Sequence, residues 1–308
     1  MYPSSYKVDV IVPTADVSKW PAKDSLKWNM EKAKKNYNVK FIPIESSGSD
    51  FSFSKSINEG IDKARYDSDL FLLNDDCFMD SFWIERLFAA RISHPECGIF
   101  GALLRFPDKM DMFLHYDMGE YYKEYPYLLS GRYALNHWHP EYQFAGGYIP
   151  LTTKEMIYGL IRFGFWNMSP LFLLRHGIRF PGPTFRLPGH YHNLNSKNRI
   201  DLITAAAMLI TWETLSTLGN FDEQLPLSFN DTDYSLRALE NGIRLCLVSD
   251  CTGVHYESLT TRHLESYKRN DYQTFYNKWP AERLKSVIRN NKSSIVHPKF
   301  CRCGDWVE

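Results

Sequence analysis

Residues 68–80 read SDLFLLNDDCFMD. Leu70 to Leu73 form an unbroken apolar run that stops at an amide and two adjacent carboxylates, Asn74, Asp75 and Asp76. A short apolar run bounded by turn residues reads as a strand buried on both faces, and such strands sit inside parallel sheets. Ligands of doubly wound sheets bind beyond the carboxyl ends of the strands. Two neighbouring negative charges at that place repel each other unless something positive sits with them.

Working outward, the flanking segments alternate between strand and helix patterns. YKVDVIVPTAD (6–16) predicts a strand ending near Pro13, and DSLKWNMEKAKKNY (24–37) a helix. NVKFIPIESSGSD (38–50) predicts a strand running into a Ser/Gly turn, and SKSINEGIDKAR (54–65) a helix capped by Ser54. DSFWIERLFAARISH (80–94) predicts a helix capped by Asp80 or Ser81, and CGIFGALLRF (97–106) a strand. This order implies a mostly parallel α/β sheet flanked by helices, with right-handed crossovers. The rhythm is lost from Pro107 to Arg199, a stretch rich in aromatics, Pro, Gly and His. It returns as a strand and helix over 201–219, a helix over 230–242 closed by Gly242, short strands within 243–258 and a helix over 266–279.

The chain has 308 residues and is 44% hydrophobic, enough for a sizeable core in one large or two fused domains. Lys+Arg and Asp+Glu both number 36, and a formal net charge of zero excludes a general polyanion binder, so no nucleic-acid partner is expected. The start, MYPSSYKVDV, has no apolar core of a signal peptide. Ile149 to Ile178 is broken by Lys154, Glu155, Arg162 and Arg175, so it does not read as a membrane span, although contact with a membrane surface stays open. The six cysteines show no disulfide framework, which suggests a reducing cytoplasm, at the inner face of a membrane if at one at all. Cys301-Arg-Cys303 reads as an unremarkable pair in a tail.

Three groups carry chemistry. Asp75–Asp76 read either as a turn and cap or as a site for a hard cation, Mg²⁺ or Mn²⁺, which favours one or two carboxylates plus substrate phosphates. FNDTDYSLR (229–237) reads as helix capping by Asn230 or Asp231, yet it holds more acidic groups than one cap needs. A carboxylate on the rim of such a site is a natural general base. His255, ending the apolar segment before YES, is either structural or an imidazole ligand among carboxylates.

These parts resemble the inverting GT-A glycosyltransferases of family 2, especially the rhamnosyl- and galactofuranosyltransferase-like branch. VDVIVPTAD, FSFSKSINEGIDKARYDSDLFLLNDDC, LGNFDEQLPLSFNDTDYSLRALENGIRL, VHYESLTTR and FYNKW carry the resemblance, over roughly residues 7–117 and 200–279. It implies a GT-A fold and a metal-dependent, inverting hexosyltransferase-type enzyme of polysaccharide biosynthesis. The donor would be a UDP-, dTDP- or GDP-sugar, and the acceptor a glycan or lipid-linked saccharide. It further implies donor contacts at Pro13, Thr14, Glu45, Asn58 and Asp75, with Arg262 near the phosphates. Asp76 and His255 would hold Mn²⁺ or Mg²⁺, and Asp231 would be the catalytic base. The chain departs from the family at Asn74, Glu45 and Asn230, where acidic or shorter acidic residues are usual.

The expected organisation is a nucleotide-sugar-binding half (1–117), an insertion on the acceptor side (118–199), a catalytic half (200–280) and a C-terminal tail (281–308). Within the insertion, HWH (137–139) and HYH (190–192) admit a zinc site but read first as loop histidines. Its aromatics Trp138, Tyr142, Phe144, Tyr148 and Trp166 read mainly as core, with stacking on sugars as the alternative. Two rivals remain: a non-catalytic glycan-binding or scaffold protein on the same fold, and a sugar-nucleotide nucleotidyltransferase. The second would need a glycine-rich loop after the first strand, and VPTADVSKW has none.

Overall fold

The computed structural model describes residues 6–18, 22–23, 37–48, 51–105, 143–144, 147–149, 154, 185–186, 199–256 and 265–296. Its first half follows the expected alternation: β1 (Lys7–Thr14), β2 (Asn38–Glu45), α1 (Phe53–Lys63), β3 (Asp69–Leu73), β4 (Cys77–Met79), α2 (Trp83–Ser93) and β5 (Cys97–Arg105). Short strands β6 (Gln143–Phe144), β7 (Gly147–Tyr148) and β8 (Phe185–Arg186) follow. The second half holds β9 (Ala207–Ile210), α3 (Trp212–Leu218), α4 (Asn230–Glu240), β10 (Arg244–His255), α5 (Glu265–Lys278), α6 (Ala281–Arg289) and β11 (Ser294–Val296). The helix predicted over 24–37 lies outside the described residues except for Tyr37.

The main sheet runs β2-β1-β3-β9-β5-β10-β11. Every neighbouring pair along it is parallel except those made by β9, which is antiparallel to both β3 and β5. The α/β class and the mostly parallel sheet therefore hold. The reversal has a topological cause. β6 pairs antiparallel with the carboxyl end of β5, at Leu104↔Phe144 and Arg105↔Gln143, so the chain is already at the carboxyl edge when it returns. β9 then enters from that edge and needs no helix to carry it back.

Side chains alternate across the strands and fill a layer on each face. Val10, Phe71, Phe100 and Cys246 point to one face, where Trp83, Leu87 and Phe88 of α2 cover them. Ile11, Leu72, Ile99 and Leu247 point to the other, under Ile57 of α1, Leu215 of α3 and Tyr234 of α4. A third apolar cluster joins Leu236 of α4 to Phe275, Trp279, Leu284 and Ile288 of α5, α6 and the turn between them. The segment read as a tail is thus partly body: α6 packs in this cluster, and β11 extends the sheet beside β10.

Three local expectations are corrected. Ser52, not Ser54, caps α1, accepting from Lys55 N–H at 3.2 Å. α2 and α4 are preceded by left-handed Phe82 (φ 67°) and Phe229 (φ 63°), not capped by Asp80, Ser81, Asn230 or Asp231. Cys97 and Cys246 are joined in a disulfide although 149 residues apart. They lie on adjacent parallel strands, and that proximity comes from the β5–β10 register, which spacing along the chain does not reveal. At the end of α4 the expectation holds: Gly242 is left-handed at φ 75°, and Ile243 N–H reaches Ala238 O at 2.9 Å, a helix-closing motif that glycine permits without strain.

Candidate functional site

The carboxyl ends of β1, β2, β3 and β10 share one edge of the sheet, where Pro13, Thr14, Glu45, Asp75, Asp76 and His255 gather. Pro13 and Thr14 end β1 in register with Ile44 and Glu45 of β2. Glu45 is exposed, and its Oε2 accepts from Val17 N–H at 3.4 Å. Thr14 is buried, and its hydroxyl meets Asp16 O at 3.4 Å beside Asp75 just beyond β3. Asp75 is held in place through its carbonyl, which accepts from Ala22 N–H at 2.9 Å.

The group that faces the acidic pair is an imidazole. β4 follows Asp76 directly and pairs antiparallel with the end of β10, setting Cys77 opposite His255. This register brings His255 Nε2 to 3.2 Å from Asp76 Oδ1 and to 3.2 Å from Asn74 Nδ2. Asn74 Oδ1 is buried without a hydrogen bond, and Asp76 Oδ1 is buried with His255 Nε2 as its neighbour. Burial, and then the neighbouring charge of Asp76, push the Asp75 carboxyl up to about 7.

An acid that titrates higher in the folded than in the unfolded state stabilises the fold below its unfolded value and loses that contribution as pH rises. For Asp75 the loss runs from about 3.8 to about 7. The thermal midpoint of the metal-free protein is therefore expected to fall across this window by more than that of Asp75→Asn. Parallel midpoint curves for the two proteins would show that the pair is not under repulsion.

The second acidic group is tied to the first through the entry to β9. Asp231 is part-buried in the first turn of α4 and accepts from Thr232 N–H at 2.7 Å and from Ala205 N–H at 3.3 Å. One residue on, Ala206 O accepts from Asn74 N–H at 3.0 Å. Ser235 of α4 accepts from Ile203 N–H at 3.1 Å. Asp231 and the Asp75–Asp76–His255 group thus flank the same short stretch, 203–206, on one rim. Burial pushes the Asp231 carboxyl up, against the pull of the helix N-terminus, which favours its ionised form.

Two other residues of the motifs are committed to the protein itself. Asn58 is buried in α1, donates to Phe221 O at 3.0 Å and Glu223 Oε1 at 2.9 Å, and accepts from Phe221 N–H at 2.8 Å. It clamps the FDE turn, where the sequence reading expected a donor contact. Asp233, fully buried, bonds Arg237, Lys278 and Trp279, so NDTDYSLR and FYNKW form one interlocked unit.

No family model matches the chain, and no curated protein matches it. Among solved structures, the catalytic domain of Drosophila beta1,4galactosyltransferase 7, in complex with xylobiose, superposes with a TM-score of 0.40 at 9% identity, over 84% of this chain and 74% of that one. GalNAc-T7, solved with UDP, GalNAc and Mn²⁺, gives a TM-score of 0.42 at 12% identity, over 94% of this chain and 54% of that one. The chain thus spans about half the length of the second protein. Scores this low transfer no role to any residue here.

The donor set suits a hard cation only in part. Among the described residues, no three His, Cys, Asp or Glu side chains converge as a metal cage. Asp76 and His255 offer one carboxylate and one imidazole, with Asp76 Oδ1 and His255 Nε2 3.2 Å apart. That is the partial set that Mg²⁺ or Mn²⁺ uses when substrate phosphates complete the shell. Asn74, treated in the sequence only as a departure from an acid, proves to be a neighbour of His255. Arg262, the histidines of HWH and HYH, Trp138, Tyr142, Trp166, Cys301 and Cys303 lie outside the described residues, as do the side chains of Phe144 and Tyr148.

Proposed function

We propose that the chain is a glycosyltransferase of GT-A type that moves a sugar from a nucleotide donor to a saccharide hydroxyl with inversion. What supports this most is the convergence of Asp75, Asp76 and His255 with Asp231 on one carboxyl rim, linked through residues 203–206. The nucleotide would lie across Pro13, Thr14 and Glu45, where β1 and β2 end together. Asp76 and His255 would hold Mg²⁺ or Mn²⁺, which when bound supplies Lewis-acid stabilisation of a departing diphosphate. Asp231 takes the proton from the acceptor hydroxyl as it attacks the anomeric carbon from the face opposite the leaving group. Its raised affinity for a proton makes it a stronger base than an exposed aspartate.

The acceptor side belongs, in this reading, to the insertion at 118–199. One of its described anchors is at the rim, and the other lies beside Asn291, just ahead of β11. β6 meets β5 at Arg105, which pairs in turn with Val254 beside His255. Ile149 N–H donates to buried Asp201 Oδ2 at 2.7 Å, and Arg199 donates to Ile149 O at 2.8 Å, so chain on either side of 150–198 is pinned together. Glycan and lipid-linked acceptors both fit this arrangement. Among the described residues, no helix is long and apolar enough to cross a membrane.

Metal removal tests the donor half. Calorimetric titration with UDP, dTDP or GDP is expected to give measurable affinity with Mn²⁺ and at least about tenfold less with chelator, as when a metal-site partner is lost. Asp76→Ala should behave like the chelated wild type. Equal affinity in all three would sink the metal assignment. A screen of nucleotide sugars by thermal shift identifies the donor, because a ligand of the folded state raises the midpoint.

A further inference from the structure

Asp271, in α5, lies forty residues from Asp231 in sequence and reads there as one polar residue among many in SYKRNDYQTFYNKW. In the structure it is fully buried. One oxygen, Oδ2, accepts from two consecutive backbone amides, Leu227 N–H at 3.0 Å and Ser228 N–H at 2.6 Å. The other, Oδ1, is buried without a hydrogen bond. Phe229 comes next, held left-handed at φ 63°, a conformation a bulky side chain rarely adopts without support. Phe229 stacks on Phe275 at 4.7 Å and meets Tyr272 edge-on at 5.7 Å, both from α5. On the far side of the loop, Pro226 O accepts from Phe53 N–H at 2.7 Å, and Ser54 Oγ donates to Leu225 O at 2.6 Å. The turn is gripped from both sides, and two residues after Phe229 comes Asp231.

We propose that Asp271 is the positioning residue for Asp231. It fixes the amides of 227–228, so Phe229 takes its left-handed turn and α4 starts with Asp231 facing the rim. This rests on the reading of Asp231 as the base. Asp271 touches no substrate and acts only through that turn.

Asp271→Ala removes both amide bonds, whereas Asp271→Asn keeps an oxygen able to occupy the place of Oδ2. Misaiming a reacting group by about 1 Å can cost on the order of 10²-fold, so kcat of Asp271→Ala is expected to fall by about that factor, with nucleoside diphosphate affinity unchanged. Asp271→Asn should recover most of the rate. In an Asp231→Asn background, Asp271→Ala should change the residual rate little, since no base is left to aim. Hydrogen exchange at Leu227 and Ser228 should quicken in the Ala variant but not in the Asn variant, while Leu236 and Ala238 within α4 stay protected. If Asp271→Ala does not fold, Asp271→Glu, with its carboxylate displaced by one methylene, carries the same kinetic expectation. Full multiplicative loss in both backgrounds, or a wild-type rate in Asp271→Ala, overturns the proposal. If Asp231→Asn itself costs nothing, the base assignment fails instead, and unchanged exchange at 227–228 would separately remove Asp271 from any hold on the turn.

Discussion

Asp231→Asn is expected to fold, to bind nucleoside diphosphate nearly as the wild type does, and to lose at least about 10²-fold in kcat, since general-base catalysis is typically worth 10²–10⁴-fold. Folding should survive for a reason that only the structure supplies. The residue before α4 is Phe229 and no side chain caps the helix, so the substitution removes no cap. An Asn oxygen can still accept from Thr232 N–H, and what is lost is the longer bond from Ala205 N–H. A single hydrogen bond to a carboxylate contributes about 1.5–3 kcal/mol, a fraction of ordinary domain stability of about 5–15 kcal/mol. Binding should survive because, among the described residues, Asp231 meets the acidic pair through residues 203–206. The pH profile adds a second readout. Because burial raises the Asp231 carboxyl, the acidic limb of kcat should lie above the range of an exposed aspartate, and it should vanish in the variant. A folded variant transferring sugar at near wild-type rate refutes the base. One that loses diphosphate binding instead places Asp231 with Asp76 and His255.

What could be read in the sequence was whatever local pattern controls. The runs VDVIVP and DLFLL, alternating with helices, give the class and the strand ends, because periodicity and chain order alone dictate a parallel sheet. That Asp75, Asp76 and His255 share one edge was legible because the first two follow β3 and the third ends β10, and parallel strands deliver their carboxyl ends to one edge. Readings failed where a distant partner decides. The reversal of β9 depends on where the chain returns from 106–198. The Cys97–Cys246 pair depends on the register between β5 and β10. Asn58 looked like a donor contact until the FDE turn was seen filling its amide. The caps of α2 and α4 failed because tertiary grip holds Phe82 and Phe229 in a conformation that local preference disfavours.

Asp233 stands two residues beyond Asp231 in the same helix, and the opposite outcome is expected of it. Its carboxylate is fully buried, with Arg237 Nε at 3.0 Å, Lys278 Nζ at 2.8 Å and Trp279 Nε1 at 2.8 Å. The cations have further duties: Lys278 also reaches Asp222 at 2.6 Å, and Arg237 donates to Leu218 O and Asn220 O at 2.8 and 2.9 Å. Asp233→Ala leaves two part-buried positive charges facing each other across a void, and the Trp279 N–H without its acceptor at the edge of the third apolar cluster. Removing one partner of a buried ion pair costs about 3–5 kcal/mol, against a total stability of about 5–15 kcal/mol. The thermal midpoint should therefore drop by roughly 6–20 °C, at about 2–4 °C per kcal/mol for a large domain. Asp233→Asn should fall between, because its oxygen can keep the Trp279 bond while the charge is lost. Below its lowered midpoint, Asp233→Ala should retain most of its kcat, since its carboxylate lies in the joint between α4 and α5. Denaturation curves and kcat measured on the same preparation separate the two aspartates. A variant at position 233 that melts like the wild type yet transfers no sugar would move Asp233 out of that joint and into the chemistry.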